Sequence, residues 1–154
     1  MEAVAMLARI AAAIEPLRPG QSAREAIRPA RKDAAVSLHD LIALSVETAS
    51  RHASPAVVIV PTRSGATARS IARFRLSAWI TAVSSLEPTC QNLQFSYGVQ
   101  AVHATEHPED WKVFARDWVR DHGVDGDLVV LTEGPSSKHP EANNRMEIID
   151  LRRS

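Results

Sequence analysis

Apolar residues recur at three-and-four spacing from Met1 to Ile14, where Val4, Leu7, Ala8, Ala11 and Ile14 form one stripe that Pro16 ends. That spacing predicts a helix whose stripe needs a neighbour to cover it. Between Leu17 and Lys32, Pro19, Gly20 and Pro29 stand among several arginines, the composition of a connector between two structural units. Ser37 followed by Asp40 makes a variant capping box and opens a helix from Leu38 to about Arg51, with Leu41, Ile42, Ser45, Val46 and Ala49 as its apolar face. Ala56 to Val60 is an unbroken run dominated by β-branched residues, the pattern of a strand buried on both faces of a parallel sheet. A polar turn at Thr62 to Gly65 and a helix from about Ala66 to Arg75 follow.

The cycle then repeats. A strand at Trp79 to Val83 leads to a short helix from Glu87-Pro88 through Phe95 and a strand at Val99 to Ala104. A helix from Glu109 to His122, closed by Gly123, leads to a strand at Leu128 to Leu131. Strands alternating with helices predict an α/β fold: a three-layer open sheet of about five strands, with helices on both faces. The last apolar run, Met146 to Leu151, follows a loop rather than a helix, so it joins the edge as an antiparallel strand of an otherwise mostly parallel sheet. No internal repeat or low-complexity tract interrupts this order.

Composition narrows the class. The 154 residues are about one domain long, and 45% hydrophobic content suffices for a packed core without disulfide or metal staples. Basic and acidic side chains balance at 18 each, so no excess charge favours a nucleic-acid or membrane partner, and any ligand is held by a local site. The single cysteine, Cys90, has no internal disulfide partner, which fits a reducing, cytoplasmic setting. Glu2 and Arg9 interrupt the amino-terminal apolar stretch, which is too short and too charged for a membrane span or a signal sequence.

In open α/β sheets ligands bind beyond the carboxyl ends of the strands, which points to the loops starting at Thr62, Ser84, Thr105 and Gly134. The first is the most informative. Thr62-Arg63-Ser64-Gly65-Ala66-Thr67 joins a buried strand to a helix and offers three hydroxyls, a guanidinium, a permissive glycine and backbone amides, a set suited to a phosphate. It is neither a Walker sequence nor a dinucleotide fingerprint, so it would hold a phosphate without hydrolysing it. The competing reading is that Ser64 merely caps the helix and Arg63 faces water.

Elsewhere the chemistry is thin. The six histidines are scattered without helical pairing, as surface or packed side chains rather than metal ligands. Cys90 reads as an ordinary half-buried cysteine; the alternative is that its place early in a short helix lets the dipole lower its thiol pKa. Trp111 and Trp118 share one helix face as core or interface aromatics. Glu109, Asp110, Asp117 and Asp121 read as a solvated face, and no catalytic constellation emerges.

The segment VVIVPTRSGATARSIARFRLSAWITAV resembles the strand, phosphate loop, helix and strand that open the carboxy-terminal α/β domain of pyruvate kinases. The family places a threonine, a basic residue, a serine and a glycine in that loop, and ends the helix with an arginine, an aromatic and an arginine, matched here by Arg73-Phe74-Arg75. YGVQAV and DGDLVVLTEG resemble its later strands, with order and spacing agreeing across about Val36 to Leu151. EAVAMLARIAAAIE resembles the helix by which the family's catalytic barrel leads into this domain. The resemblance implies residues 1–16 as a continuation of an upstream barrel, 17–36 as connector and 37–154 as the α/β domain.

It further implies a parent that transfers phosphate from phosphoenolpyruvate to ADP with magnesium and potassium bound on the barrel and its lid. This domain would hold no cofactor and no catalytic site. In relatives activated by a sugar bisphosphate, the loop matched by Thr62, Arg63, Ser64, Gly65 and Thr67 holds one effector phosphate. Ala66 replaces a basic residue often found there, the segment from Ala104 to Trp111 lacks the family's second-phosphate residues, and the final loop GPSSKHPEANNRM lacks the glycine-rich run, although Asn143-Asn144 approximates the family's threonine-asparagine pair. A sugar bisphosphate, a sugar monophosphate and a nucleotide phosphate therefore all stay open as the effector. Two roles follow: a regulatory domain of a homo-oligomer, a tetramer in the parent, switched by a phosphorylated effector; or an assembly module whose phosphate loop stays empty. A free-standing enzyme using Cys90 or the loop serines would need a base that no sequence feature positions.

Overall fold

The computed structural model describes residues 2–14, 37–106, 108–134 and 143–153. The helices are α1 (Glu2–Ile14), α2 (Leu38–Ala53), α3 (Ala66–Ala72), α4 (Glu87–Leu93) and α5 (Trp111–Asp121); the strands are β1 (Val57–Pro61), β2 (Trp79–Ser84), β3 (Val99–His103), β4 (Leu128–Glu133) and β5 (Arg145–Asp150). The connector expected at 17–36 lies outside the described residues, as does most of the loop between β4 and β5.

The strands form one sheet in the order β3-β2-β1-β4-β5. β1 is central and runs parallel to β2 and β4, with Val57 beside Trp79 and Val129. β3 adds in parallel on the far side of β2, and β5 closes the other edge antiparallel to β4, Leu128 opposite Asp150 and Glu133 opposite Arg145. The expected α/β architecture, including the reversed last strand, is the observed one.

The alternation of side chains along β1 builds two cores. Val58 and Val60 join Ile80, Ala82 and Val130 under α2, α3 and Leu93 of α4. Val57 and Ile59 join Val83, Val129, Leu131 and Ile149 under Ala115 and Trp118 of α5. All four β1 valine and isoleucine side chains have no exposed surface, which is why the segment reads as a continuous apolar run.

Local chemistry sets the helix ends. The Ser37 hydroxyl accepts the Asp40 N–H at 3.1 Å and donates to the Asp40 carboxylate at 2.9 Å, so the expected cap of α2 is reciprocal. Its buried face differs from the expected one: Ala43, Val46, Glu47 and Ser50 turn inward, while Leu41 and Ser45 are exposed. Small side chains let α2 lie close to the sheet, and Glu47 is held by Arg51 one turn on. α3 stops at Ala72 rather than Arg75, because Phe74 N–H and Arg75 N–H donate three residues back and Arg75 enters the left-handed region at φ 51°.

Arg73-Phe74-Arg75 thus has three separate tasks. Arg73 pairs with Asp40 of α2, Phe74 packs on the first core, and Arg75 lies over the Tyr97 ring at 5.0 Å from its centroid. α5 begins at Trp111 instead of Glu109, since Asp110 is its N-cap, accepting the N–H groups of Lys112 at 2.8 Å and Val113 at 3.1 Å. Trp111 and Trp118 both belong to the second core, and Trp118 stacks on His122 with centroids 4.1 Å apart. No side chain of α1 is buried.

The Asp40–Arg73 pair predicts an acid-dependent stability term. Partial burial pushes the Asp40 carboxyl up, but the Ser37 hydroxyl, the Arg73 guanidinium and the Ser70 hydroxyl outweigh it and hold the carboxyl below 3.8. A depressed carboxylate stabilises the fold above its unfolded pKa, and that stability is lost as pH falls through the folded value. Asp40→Asn should therefore cost at most about 1 kcal/mol at neutral pH, as for a surface pair. Urea melts should show the gap from wild type closing as pH falls below about 4; a pH-independent gap would contradict this role for Asp40.

Candidate functional site

The five loop residues singled out from the sequence come together at the carboxyl end of β1, the central strand. Thr62 N–H donates to the Val83 carbonyl at 2.9 Å, extending the ladder one step beyond Pro61. The chain then turns on itself. Gly65 N–H donates to Thr62 Oγ1 at 2.9 Å and Ala66 N–H to Ser64 Oγ at 3.4 Å, so two of the hydroxyls hold loop amides. Arg69 reaches back from α3 to the Ser64 carbonyl at 2.9 Å, and Thr89 Oγ1 of α4 donates to the Arg63 carbonyl at 2.8 Å. The loop is braced from both neighbouring helices.

Gly65 is the residue that the turn requires. It is buried at φ +76°, and a Cβ there would stand 2.9 Å from Arg69 Nη1 and 3.0 Å from Leu93 Cδ2. Leu93 is a fully buried core side chain and has no room to yield.

Two groups of the loop face outward chemistry. Arg63 is exposed and has no ion pair among the described residues. Thr67 is only partly buried, and its Oγ1 lies 3.0 Å from Nδ1 of His39 at the start of α2. From Pro61 to Leu86 the sequence holds four arginines and no carboxylate, with Glu87 next in the chain at the start of α4. Arg73 is paired with Asp40, whereas Arg63 and Arg69 have no ion pair among the described residues.

The other carboxyl-end loops supply less. Ser84 is buried and its Oγ accepts Leu86 N–H at 3.3 Å; His103 Nε2 lies 3.2 Å from the Ser85 carbonyl. At the end of β4, Asn144 sits so close to Gly134 that a Cβ there would be 2.7 Å from its Oδ1. Residues 135–142 of that loop lie outside the described residues. Cys90 is buried, and burial first, then the Glu87 charge, push its thiol up rather than down, in keeping with an ordinary packed cysteine and against activation by the helix dipole. Among the described residues no three histidine, cysteine, aspartate or glutamate side chains are grouped to hold a metal ion.

Three contributors escaped the sequence: His39, Arg69 and Thr89. His39 is 28 residues from its partner and Thr89 is 26, separations that only the fold closes. Arg69 follows the turn directly, and its spacing of five from Ser64 was the one readable signal.

Comparison with known proteins agrees with the fold. A family model described as pyruvate kinase, alpha/beta domain, matches residues 40–149. The chain is 36% identical over 96 residues to a pyruvate kinase of Thermococcus litoralis, covering 61% of this chain and 20% of that protein. It is 30% identical over 139 residues to pyruvate kinase 2 of a Synechocystis species, covering 87% and 22%. The fold is similar to that of Cryptosporidium parvum pyruvate kinase in complex with ADP, with a TM-score of 0.70 at 20% identity, covering 84% of this chain and 26% of that one. The chain thus spans about a fifth of the length of the curated relatives it matches.

Gly65→Ala tests the turn. A left-handed Cβ costs roughly 1–2 kcal/mol per residue, and contact with Leu93 adds to that. Gly98, at φ +65° with nothing within 4 Å of an added Cβ, is the control that bears the backbone cost alone. Denaturant titration should place Gly65→Ala clearly below Gly98→Ala in stability; equal losses would show that Leu93 does not confine the loop.

Proposed function

This chain belongs to the pyruvate kinase alpha/beta-domain family, and from that premise we propose that it is the regulatory domain of a pyruvate kinase, binding a phosphorylated effector at Thr62, Arg63, Ser64, Gly65 and Thr67. The observation that carries the reading is the loop itself: an exposed guanidinium with no ion pair among the described residues, beside hydroxyls and amides, at the carboxyl end of the central strand, in a stretch without carboxylates. An arriving phosphate would take donors from Arg63, Thr67 and the loop amides that Thr62 and Ser64 now occupy.

The parent would transfer phosphate from phosphoenolpyruvate to ADP, with magnesium and potassium on its barrel. Residues 1–16 continue that barrel, 17–36 connect and 37–154 regulate. The exposed apolar side chains of α1, among them Val4, Leu7 and Ile14, support the first assignment, since they need a cover that none of the described residues provides. Regulation follows if the effector binds one packing of the subunits better than another; couplings of about 1–3 kcal/mol are typical, within reach of one or two charge-assisted hydrogen bonds.

A second reading, an assembly module with an empty loop, draws on β5. This edge strand exposes 52% of Ile148 and leaves one row of backbone groups without a neighbour in the sheet, a surface on which a second subunit of a homo-oligomer can pair.

Calorimetric titration with glucose 6-phosphate, ribose 5-phosphate, fructose 1,6-bisphosphate and AMP separates the two. The effector reading expects saturable binding by at least one of them, weakened about 10- to 100-fold in Arg63→Ala as a charged hydrogen bond is lost. Silence from all four would leave the assembly reading.

A further inference from the structure

On the premise that the loop binds a phosphate, the hydrogen bond between His39 and Thr67 constrains how it binds. A hydroxyl has a single proton, and a phosphate dianion can only accept. If His39 Nδ1 is bare, the Thr67 proton points at the imidazole and only lone pairs face the loop, which an anion cannot use. If Nδ1 carries a proton, Thr67 accepts from His39 and its own O–H is free to donate to a phosphate oxygen, over the same 3.0 Å contact. A doubly protonated imidazole always meets that condition, and it adds a positive charge behind the hydroxyl.

We infer that His39 is a proton-linked gate of the loop, taking up a proton as a doubly charged phosphate group binds. Its surroundings suit the role. α2 packs on α3, β4 and β5. Of their charged groups, Asp40 on α2 itself is tied to Ser37 and Arg73, and Glu133 at the end of β4 is tied to Arg145 of β5. Glu147 lies further along β5, where its side chain is exposed. On α3, Arg69 is turned onto the Ser64 carbonyl. No carboxylate is paired with His39 among the described residues, so a dianion arriving beside Thr67 would supply the negative charge that a protonated imidazole there would otherwise lack. By linkage, the proton and the anion each favour the binding of the other. The gate favours a group carrying two negative charges at neutral pH, such as a phosphate monoester, over a diester or a carboxylate, because the attraction scales with charge.

Sulfate is the suitable probe, because it is doubly charged and does not itself titrate near neutrality. Its dissociation constant would be measured by calorimetry at about pH 5.5 and about pH 7.5 on the whole chain and on His39→Gln, whose amide can donate to Thr67 but does not titrate. The gate predicts wild-type binding roughly 3- to 10-fold tighter at the lower pH, with the dependence abolished in the variant while binding itself persists. The same pH dependence in both proteins, or none in wild type, would overturn the gate and leave the phosphate site standing. Absence of binding by either protein at both pH values would overturn the phosphate reading and the gate with it.

Discussion

Burial of β1 on both faces is the constraint from which the rest of this structure follows. Val57, Val58, Ile59 and Val60 alternate between two cores, so helices must cover both sides, and the backbone must be satisfied by a strand on each flank. β2 and β4 do this in parallel, which fixes all their carboxyl ends at one edge. Pro61 ends β1 with no N–H to give, and the chain leaves the sheet where the neighbouring loops also gather. The candidate site is thus placed by packing far from any of its own side chains.

What the turn then does with that place depends on economy of hydrogen bonds. Thr62 and Ser64 satisfy amides of the turn, Arg69 and Thr89 satisfy its carbonyls, and glycine at position 65 permits the backbone to pass beneath Leu93. The shape of the loop is thus held by protein groups, from within the turn and from both neighbouring helices. His39 and Asp40, one residue apart in the first turn of α2, reach α3 through Thr67 and Arg73. α2 is therefore bound to α3, the helix that follows the loop, through two side-chain contacts.

The sheet was legible in the sequence because buried strands announce themselves as apolar runs and because each helix between them is bounded by a cap, a proline or a glycine. The loop was legible because its residue types and their place after a buried strand are both local. The inward face of α2 was not: Ala43, Glu47 and Ser50 carry little hydrophobic signal, and Leu41, which does, points to water. Asp110 looked like a surface charge, although its position just before an apolar-periodic helix is that of a cap. His39 could not have been found, since nothing in its own neighbourhood marks it and only the packing of α2 on α3 brings it to Thr67.

The central claim is that the turn after β1 receives a phosphate group, and amide resonances report on it directly. Inorganic phosphate titrated into the isotopically labelled chain should shift the backbone signals of Thr62 to Thr67 and the Arg63 side chain along saturable curves, while Ser96 to Gly98, at the opposite end of the parallel strands, stay fixed. Loop signals that do not move, or shifts that saturate elsewhere and not there, would contradict the account.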